Sequence, residues 1–431
     1  MKQEKVDVAI IGAGIGGMCA GALLAHAGYN VVVTEKLPQL GGRCSSLEYK
    51  GFKLFTGVAC IETSGLVEEL FREVGAEFNV RMPDPQVVYR IRGKDHTLPT
   101  KGRLKTLVSL ACQDEAEAGR VMSALRRAIF WQEPSDSISL SEWLEQYTQN
   151  QTVKGLFYAY VSDEREIGAG EVVRNLKTVG PYLYGYPIGG SIDLIESLAK
   201  VIRARGGQVW TGSPARRILV DDWEARGIIV RRDEQDIEIS ASAVISNAGP
   251  QATVELAGKE NFDKGHLKDV ENLPCMPYIQ LHVISDRPLI ETPAIMLLPD
   301  AQRMYYMLCP TLTCPELAPP GKHMLLVGGA ARPTLGLIDF RKELQLVIQD
   351  LRANVAEVDR YGQILHAACY NGRWPAGRSV QGFAMPRKTP VERLYEVGDG
   401  VVPSGAGGHV GSVRSAREVV ADIKGLPMPS Q

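Results

Sequence analysis

The sequence lacks the features that mark several classes of protein. Its eight cysteines include no Cys-x-x-Cys pair and no cysteine–histidine zinc spacing, and they lie far apart in a chain of 431 residues. We therefore predict no metal site and no disulfide framework, and we interpret the cysteines as reduced, mostly buried thiols of a cytoplasmic protein. No apolar run reaches the ~18 residues of a membrane span, and the charged N-terminus is not typical of a signal peptide.

Charge is also nearly balanced. With 48 basic and 50 acidic residues the net charge is −2, so electrostatics give no reason to expect a nucleic-acid partner. The length and the 45% hydrophobic content favour two or three domains, and no repeat or low-complexity linker separates them. Lys101, Arg103 and Lys105 flank apolar residues and could form a basic amphipathic surface, although a solvated helix face is the simpler interpretation. We therefore predict at most a peripheral membrane contact.

The chain begins with the pattern of a dinucleotide-binding unit. Residues Val6 to Ile11 form an apolar run, residues 12–17 read Gly-Ala-Gly-Ile-Gly-Gly, and a second apolar run, Val31 to Thr34, ends at Glu35. This order predicts a strand, a phosphate-binding turn, a helix and a strand. It also places an acidic residue about twenty positions beyond the glycines, as such units require.

Each glycine of this turn has a physical role. Gly12 permits the tight turn, Gly14 lets the backbone approach a pyrophosphate, and Gly17 lets the helix and the strand pack closely. The helix start offers unpaired N–H groups and the positive end of its dipole to phosphates. Glu35 can accept hydrogen bonds from both hydroxyls of an adenosine ribose and would repel a 2′-phosphate. The pattern therefore disfavours NADP and leaves NAD and FAD open.

Two further segments favour FAD. Residues 41–43 read Gly-Gly-Arg, a second backbone-exposing turn with a cation suited to a pyrophosphate, for which a plain NAD-binding domain has no need. Near the C-terminus, Gly398 and Asp399 follow a predicted strand, and a glycine-rich loop at residues 403–411 precedes a helix. An aspartate in that place can bond a ribose or ribityl hydroxyl, and the loop can donate to a carbonyl or an anion.

These segments resemble one family, the FAD-dependent amine oxidase and phytoene desaturase superfamily, especially its short bacterial and archaeal phytoene-desaturase-like members. The resemblance rests on residues 7–43, on Pro187 to Gly190 with the helix that follows, and on Leu394 to Gly400. It implies FAD, and non-covalent attachment is expected because no cysteine follows Cys369. The implied cofactor contacts are Gly12, Gly14, Gly17, Glu35, Gly41, Gly42, Arg43, Gly57, Val58, Ala215, Gly398, Asp399, His409 and Val410.

The resemblance also implies an α/β fold, with a Rossmann-like FAD-binding domain of discontinuous segments and an inserted α+β substrate domain. Residues 1–80, 181–250 and 372–431 are predicted to form the FAD-binding domain, residues 81–180 a helical substrate or lid region, and residues 251–371 the substrate domain. In these last two parts we predict strands at Tyr278–Ser285, Met304–Leu308, Met324–Val327 and Ile364–Tyr370, a helix at Asp339–Ala356, and a hairpin of Val87–Arg92 with His96–Pro99 around a turn at residues 93–95.

Aromatic residues mark a candidate substrate pocket. Tyr184 and Tyr186 lie in an aromatic, turn-rich stretch, and Tyr370 and Trp374 could form aromatic walls beside the flavin. Packing within a loop or a domain junction is the alternative explanation for both groups. His409 lies in a cofactor-like loop and is the candidate catalytic residue near the ring, with a purely backbone role as the alternative.

One position departs from the family pattern. Many relatives carry an acidic residue in Gly-Phe-x-Phe-Asp-x-Gly, where this chain has Phe55. A polar group near the cofactor or the substrate is therefore missing, and no single relative's activity carries over directly.

Three functions compete. The resemblance implies hydride transfer between flavin N5 and a substrate carbon, and we favour a C–C bond of a small apolar substrate, such as a polyprenoid or carotenoid-like chain, in desaturation, saturation or isomerisation. An amine or protoporphyrinogen oxidase is the second enzyme hypothesis. A non-catalytic prenyl-binding relative is the third, and the intact glycines with Glu35 and Asp399 argue against it. The patterns predict neither the electron acceptor nor the oligomeric state.

Overall fold

The computed structural model describes residues 2–99, 101–162, 165–178, 183–333, 336–371, 378–379, 383, 385–401 and 408–425. Within these residues the helices are α1 Ile15–His26, α2 Leu66–Val74, α3 Arg103–Ala111, α4 Glu115–Phe130, α5 Leu140–Glu145, α6 Gln151–Tyr160, α7 Ala169–Thr178, α8 Ser191–Ala204, α9 Pro250–Ala257, α10 Lys264–Asn272, α11 Phe340–Asn354, α12 Val358–Tyr361 and α13 Gly408–Lys424. The strands are β1 Lys2–Ile11, β2 Val31–Thr34, β3 Ser46–Tyr49, β4 Phe52–Phe55, β5 Ile61–Thr63, β6 Val80–Arg81, β7 Val87–Ile91, β8 Lys94–Thr97, β9 Leu183–Pro187, β10 Gln208–Trp210, β11 Ala215–Asp221, β12 Glu224–Arg232, β13 Gln235–Ser246, β14 Cys275–Met276, β15 Tyr278–Ser285, β16 Ile295–Leu297, β17 Met304–Leu308, β18 His323–Ala330, β19 Gln363–Tyr370, β20 Arg378–Ser379 and β21 Leu394–Glu396.

The apolar runs near the N-terminus form the middle of the first sheet. β1 lies between β2 and β13 and is parallel to both, and β10 extends the sheet beyond β2. The other edge of β13 is shared, because β12 pairs antiparallel with its first half and β21 pairs parallel with its end. Strands of this kind are buried on both faces, which explains the continuous apolar runs of β1 and β2.

The carboxyl ends of three parallel strands meet at one edge of this sheet. Ile11 at the end of β1 pairs with Ser246 at the end of β13, and Ser246 pairs with Glu396 at the end of β21. Helices α1, α8 and α13 pack on one face in a shared apolar core. Segments that are far apart in sequence are therefore adjacent where ligands of open α/β sheets bind.

The second sheet has the strand order β19-β15-β18-β17-β16-β7-β8. Because successive side chains of a strand point to opposite faces, Ile279, Leu281 and Val283 of β15 pack with α11, while Gln280 points to the other face. Helices α3 to α7 have an apolar core of their own, which also includes residues of β7. Among the helices of the described chain, none combines the length and the apolarity needed to cross a bilayer.

The predicted fold class is confirmed, while the segment boundaries given above stay a prediction. β15 and β17 have the predicted bounds, and α11 lies within the predicted helix. The hairpin of β7 and β8 corrects one prediction, since β8 begins at Lys94 and the turn consists of Arg92 and Gly93 alone. Both residues have positive φ, 49° and 74°, as a two-residue turn that matches strand twist requires.

Buried carboxyl groups give the fold a pH dependence. Glu396 on β21 is 2% exposed, and its Oε2 has no hydrogen-bond partner among the described residues. Burial raises the pKa of this carboxyl from its ordinary value of 4.5 to about 7, against a smaller opposing effect of a hydrogen bond with Thr253. The folded protein therefore holds a proton that the unfolded chain releases.

We predict that the stabilising effect of this proton is full below pH 4.5 and is lost as the pH rises through about 7. The difference amounts to roughly 3 kcal/mol at most. Glu396→Gln, which stays neutral, should flatten the fall of the melting temperature over this range. The exposed Glu271 provides the control, since Glu271→Gln should keep the wild-type slope. Equal slopes for wild type and Glu396→Gln would contradict the prediction.

Candidate functional site

A tight turn at the end of β1 leads into α1. Gly12 has a φ of 91°, which favours glycine, and a Cβ atom on Gly17 would lie 2.2 Å from the Gly12 carbonyl oxygen. The N-cap residue Gly14 offers no side-chain cap, and the first turn of α1 carries no acidic residue. The first N–H groups of α1 are therefore available to an anion at the edge where β1, β13 and β21 end.

Glu35 holds this turn from the end of β2. It is only 6% exposed, and its carboxylate accepts hydrogen bonds from the N–H groups of Ala13 at 2.8 Å and Leu37 at 3.0 Å. An ionised carboxylate has about four acceptor positions, so roughly two remain for ligand hydroxyls. Glu35 thus shapes the glycine turn itself, and its role as a ribose acceptor stays a prediction.

The second glycine turn contacts the first. The Gly41 N–H donates to the Ala13 carbonyl at 2.9 Å, and Gly41 and Gly42 have φ values of 98° and 55°. A Cβ atom on Gly41 would lie 2.5 Å from the Cys44 carbonyl oxygen, so the turn closes too tightly for a side chain there. The two turns form one continuous backbone surface, and Arg43 follows directly.

Arg43 and Asp399 form a bidentate ion pair across 356 positions of sequence, with N···O distances of 2.6 and 2.7 Å. Burial acts against the charge of Arg43, and Asp399 outweighs this effect and raises the pKa of the guanidinium. Yet 29% of the Arg43 side chain is accessible. Three guanidinium N–H groups remain beyond the pair.

Asn247 joins the N-terminal and C-terminal segments, and our sequence analysis did not identify it. Its backbone N–H donates to the Ile11 carbonyl at 2.7 Å, and its Nδ2 donates to the Val397 carbonyl at 2.8 Å. Cβ atoms on Gly14 and Gly398 would lie 2.5 Å from Oδ1 and 2.9 Å from Nδ2 of this amide. The Asn247 side chain therefore fills the space that side chains at both glycines would need.

The segment after β4 connects Arg43 to the second sheet. The Val58 N–H donates to the Arg43 carbonyl at 2.9 Å, and a Cβ atom on Gly57 would lie 2.7 Å from the same oxygen. Gln280 on β15 donates from Nε2 to the Gly57 carbonyl at 3.1 Å, and the Ser191 hydroxyl donates to the Val58 carbonyl at 2.6 Å. Gly57 and Val58, the positions predicted to lie near the flavin ring, are thereby held between the two sheets.

Four tyrosines, Tyr278, Tyr305, Tyr306 and Tyr370, lie beside Gln280, and we call them the tyrosine cluster. The hydroxyl oxygens of Tyr278 and Tyr306 are 2.6 Å apart, and the stacked rings of Tyr278 and Tyr370 have centroids 5.7 Å apart. The Tyr370 hydroxyl donates to Gln280 Oε1 at 3.5 Å. Only Tyr370 of this cluster was predicted from the sequence.

The tyrosine cluster is only partly buried. Tyr278, Tyr306 and Tyr370 keep accessible surface, yet burial raises the pKa of Tyr370 to about 12 and those of Tyr278 and Tyr306 well above their ordinary value. Arg43 acts against the shift at Tyr370, so the guanidinium lies near this end of the cluster.

Gly328 makes room for the cluster. It pairs with Tyr306 across β17 and β18, and a Cβ atom on Gly328 would lie 1.9 Å from the Tyr306 ring. Glycine in the middle of a strand weakens the strand, and here the close approach of the ring requires it. The position of Gly328 therefore sets the position of the Tyr306 ring.

The two tyrosines of β9 have different surroundings. Tyr184 keeps accessible area and meets the His409 ring edge-on, with centroids 6.2 Å apart. Tyr186 is 0% exposed, packs in an apolar cluster with Phe55, and donates its hydroxyl to the Pro293 carbonyl at 2.8 Å. Tyr186 is thus a core residue, and the prediction that it lines a pocket is wrong because apolar side chains enclose its ring.

His409 lies in the first turn of α13, followed by the buried Val410. The Glu62 N–H donates to His409 Nε2 at 3.1 Å. A ring nitrogen that accepts this hydrogen bond carries no proton. Proton transfer through Nε2 would require this bond to break, and the catalytic role of His409 stays a prediction.

The remaining predicted positions fall in three places. Ala215 begins β11, and the nearby Ser213 N–H donates to the Glu35 carbonyl at 2.7 Å, so the start of β11 lies beside Glu35. Phe55 is 1% exposed at the end of β4. Trp374 and residues 402–407 of the glycine-rich loop lie outside the described residues.

This arrangement fits FAD on structural grounds. An uncapped helix start with two glycine turns suits a pyrophosphate, and Glu35 retains acceptor positions for ribose hydroxyls. Arg43 pairs with Asp399 and opposes the rise in the pKa of Tyr370, so this pair lies between the glycine turns and the tyrosine cluster. When bound, FAD would supply the hydride-accepting or hydride-donating ring.

We predict that Asn247→Ala raises the FAD dissociation constant roughly tenfold, because the Val397 carbonyl loses its donor and the turns at Gly14 and Gly398 lose the amide that packs against them; a tenfold change corresponds to about 1.4 kcal/mol. Titration of the apoprotein with FAD, followed by flavin fluorescence, measures the effect. Asn30→Ala is the matched control, since the Asn30 side chain bonds the Lys5 carbonyl elsewhere in the fold. FAD affinity of Asn247→Ala equal to that of this control, with unchanged circular dichroism, would refute the prediction.

Comparisons with known proteins extend these observations. The chain is 27% identical to an uncharacterized protein of Methanocaldococcus jannaschii over 411 residues, which cover 93% of this chain and 94% of that protein. It is 26% identical to a zeta-carotene-forming phytoene desaturase of Myxococcus xanthus over 276 residues, 56% of this chain and 53% of the desaturase. The alignment thus spans about half the length of the desaturase.

A solved structure and a family match cover nearly the whole chain. The crystal structure of an oxidoreductase from Methanosarcina mazei superposes with a TM-score of 0.85 at 27% identity, covering 96% of this chain and 100% of that one. Residues 15–424 match the family of flavin containing amine oxidoreductases. The protein therefore belongs to the flavin-containing amine oxidoreductase family and is an FAD-dependent oxidoreductase.

Proposed function

We propose that this enzyme transfers a hydride between flavin N5 and a C–C bond of a small apolar substrate of the polyprenoid or carotenoid-like class. The flavin would supply reversible two-electron chemistry, so the proposal covers desaturation, saturation and isomerisation. The chain itself would bind and orient the two reactants and exclude water from between them.

The observation that carries the proposal is the aromatic lining beside the predicted ring position. Gln280 links the Gly57 carbonyl to the tyrosine cluster, so the cluster lies next to the segment expected at the flavin ring. The hydroxyls of Tyr278 and Tyr306 are bonded to each other, and both rings keep part of their surface accessible. Aromatic surface of this kind suits an unsaturated hydrocarbon chain.

Two further observations support an apolar substrate. Apart from burial, the groups that raise the pKa of the Tyr278 hydroxyl are the three other tyrosines of the cluster, and none of them is a charged side chain. A desaturase acting on a carotene precursor is among the relatives of the chain.

The tyrosine cluster also favours a second candidate, oxidation of an amine or of a porphyrinogen. Tyrosine ring faces attract cations, and a planar macrocycle can stack on them. The family is named for amine oxidation. We rank this candidate second because the carboxylate Asp399, which a cationic substrate could use, is already paired with Arg43.

A substrate panel tests the proposal. Purified FAD-loaded enzyme is mixed without oxygen with detergent-dispersed polyprenoids and carotenes, amines, and protoporphyrinogen, and loss of the visible flavin absorbance is followed. The chemically reduced enzyme is tested with the unsaturated compounds, and products are identified by mass spectrometry. We expect a response to hydrocarbon chains. Flavin reduction by amines alone, with peroxide released in air, would overturn the proposal in favour of the second candidate.

We predict that Gly328→Ala raises the substrate KM about tenfold while FAD affinity stays unchanged, because the new methyl group displaces the Tyr306 ring; overpacking of this kind costs about 1–3 kcal/mol. Gly119→Ala is the matched control, since a Cβ atom on Gly119 meets no atom within 4 Å. An unchanged KM for a correctly folded Gly328→Ala variant would exclude the tyrosine cluster as the substrate site.

A further inference from the structure

The end of α4 exposes two consecutive large aromatic side chains. Phe130 is 74% exposed and Trp131 is 80% exposed. Single apolar side chains on a surface are ordinary, but two adjacent aromatic rings extended into water form an apolar projection. Their backbone continues α4, since the Trp131 N–H donates to the Arg127 carbonyl at 2.9 Å. The rings are therefore presented from a regular helix end.

Positive charge lies beside this projection, on the preceding turn of α4. Arg126 and Arg127, one turn before the rings, are exposed, and neither side chain forms an ion pair with any residue that the structure describes. We call Arg126, Arg127, Phe130 and Trp131 the aromatic-basic patch. The nearest acidic residue along the chain, Glu133, is already paired with Arg174 and Lys177.

The neighbouring helix α3 also carries exposed positive charge. Lys101, Arg103 and Lys105, at the start of α3, are exposed, and α3 packs against α4 in the helical core. Glu115 lies at the opposite end of α4, about 22 Å from Phe130 at 1.5 Å per residue. Acidic residues of α4 therefore lie away from the patch, and its charge is of one sign.

We propose that the aromatic-basic patch docks this enzyme on an anionic lipid bilayer surface. Tryptophan and phenylalanine insert at the boundary of headgroups and acyl chains, and arginines beside them contact anionic headgroups. A second copy of the chain fits the patch less well, because a twofold contact would bring the arginine pairs of both copies together.

Docking on a bilayer would give the enzyme access to its substrate, and this step of the inference rests on the proposed function. A polyprenoid or carotenoid-like substrate partitions into bilayers, so an enzyme that uses it gains from contact with their surface. The helical core that carries the patch also reaches the tyrosine cluster, since Ala159 of α6 packs with Tyr305. The patch and the cluster therefore belong to contiguous parts of the structure.

Sedimentation of the FAD-loaded protein with vesicles tests the proposal. Vesicles of phosphatidylcholine alone are compared with vesicles of equal parts phosphatidylcholine and phosphatidylglycerol. We expect the wild type to bind the anionic vesicles and to be released by high salt. Both Phe130→Ser/Trp131→Ser and Arg126→Glu/Arg127→Glu should reduce the binding constant at least about tenfold.

Matched variants elsewhere on the surface show whether a loss of vesicle binding is specific to the aromatic-basic patch. Trp223→Ser removes another exposed tryptophan, and Arg216→Glu/Arg217→Glu reverses another exposed arginine pair; both should bind vesicles as the wild type does. Absence of wild-type binding, equal loss in these controls, or a change of oligomeric mass in the patch variants without a change in vesicle binding would overturn the proposal. Turnover of detergent-dispersed substrate needs no vesicle, so failure of the docking and failure of the proposed activity are distinguishable.

Discussion

The meeting of β1, β13 and β21 at one sheet edge is the constraint on which the rest of this structure depends. The three strand ends pair directly, and Asn247 fills the space between the turns that follow them. Because Gly14 and Gly398 both approach the same amide, neither position can accept a side chain without displacing Asn247. A cofactor surface composed of distant segments is thereby held as one rigid unit.

From this edge, backbone contacts carry the geometry to the second sheet. The Arg43 carbonyl accepts from the Val58 N–H, and the Gly57 carbonyl accepts from Gln280 on β15. These bonds are short-range and directional, unlike the apolar packing that holds each sheet separately. The distance between the predicted ring position and the tyrosine cluster therefore depends on a few hydrogen bonds of the Gly57–Val58 segment.

Features that depend on sequence neighbours were predictable here, and features that depend on distant partners were not. The glycines around Gly12 and the acid at Glu35 have a fixed spacing, and β15 has a periodicity that marks its bounds. Asn247 gave no such signal, since a single asparagine after a buried strand is common at turns. Tyr278 and Tyr306 looked like ordinary strand residues, because their shared hydroxyl bond joins two strands that are not adjacent.

Tyr186 was predicted from its sequence neighbours to line a pocket, but distant residues bury it. Its aromatic neighbours in sequence suggested a pocket, while its burial is decided by Phe55 and the other residues of a core that assembles from β4, β9 and β18. The apolar side chain at position 55 and the burial of Tyr186 therefore belong to the same packed core. An acidic residue at position 55 would face that apolar core without compensation, so the chain departs from the family pattern at a place where its own packing requires it.

The polar groups near the candidate site are paired among themselves. Arg43 neutralises Asp399, Tyr278 bonds Tyr306, and the amide of Gln280 bonds the Gly57 carbonyl. A substrate that offered a charge to Asp399 or a strong hydrogen-bonding group to the tyrosine hydroxyls would compete with these pairs, which costs free energy. This pairing supports the proposed apolar substrate, because such a substrate has no polar group that needs a partner at the tyrosine cluster.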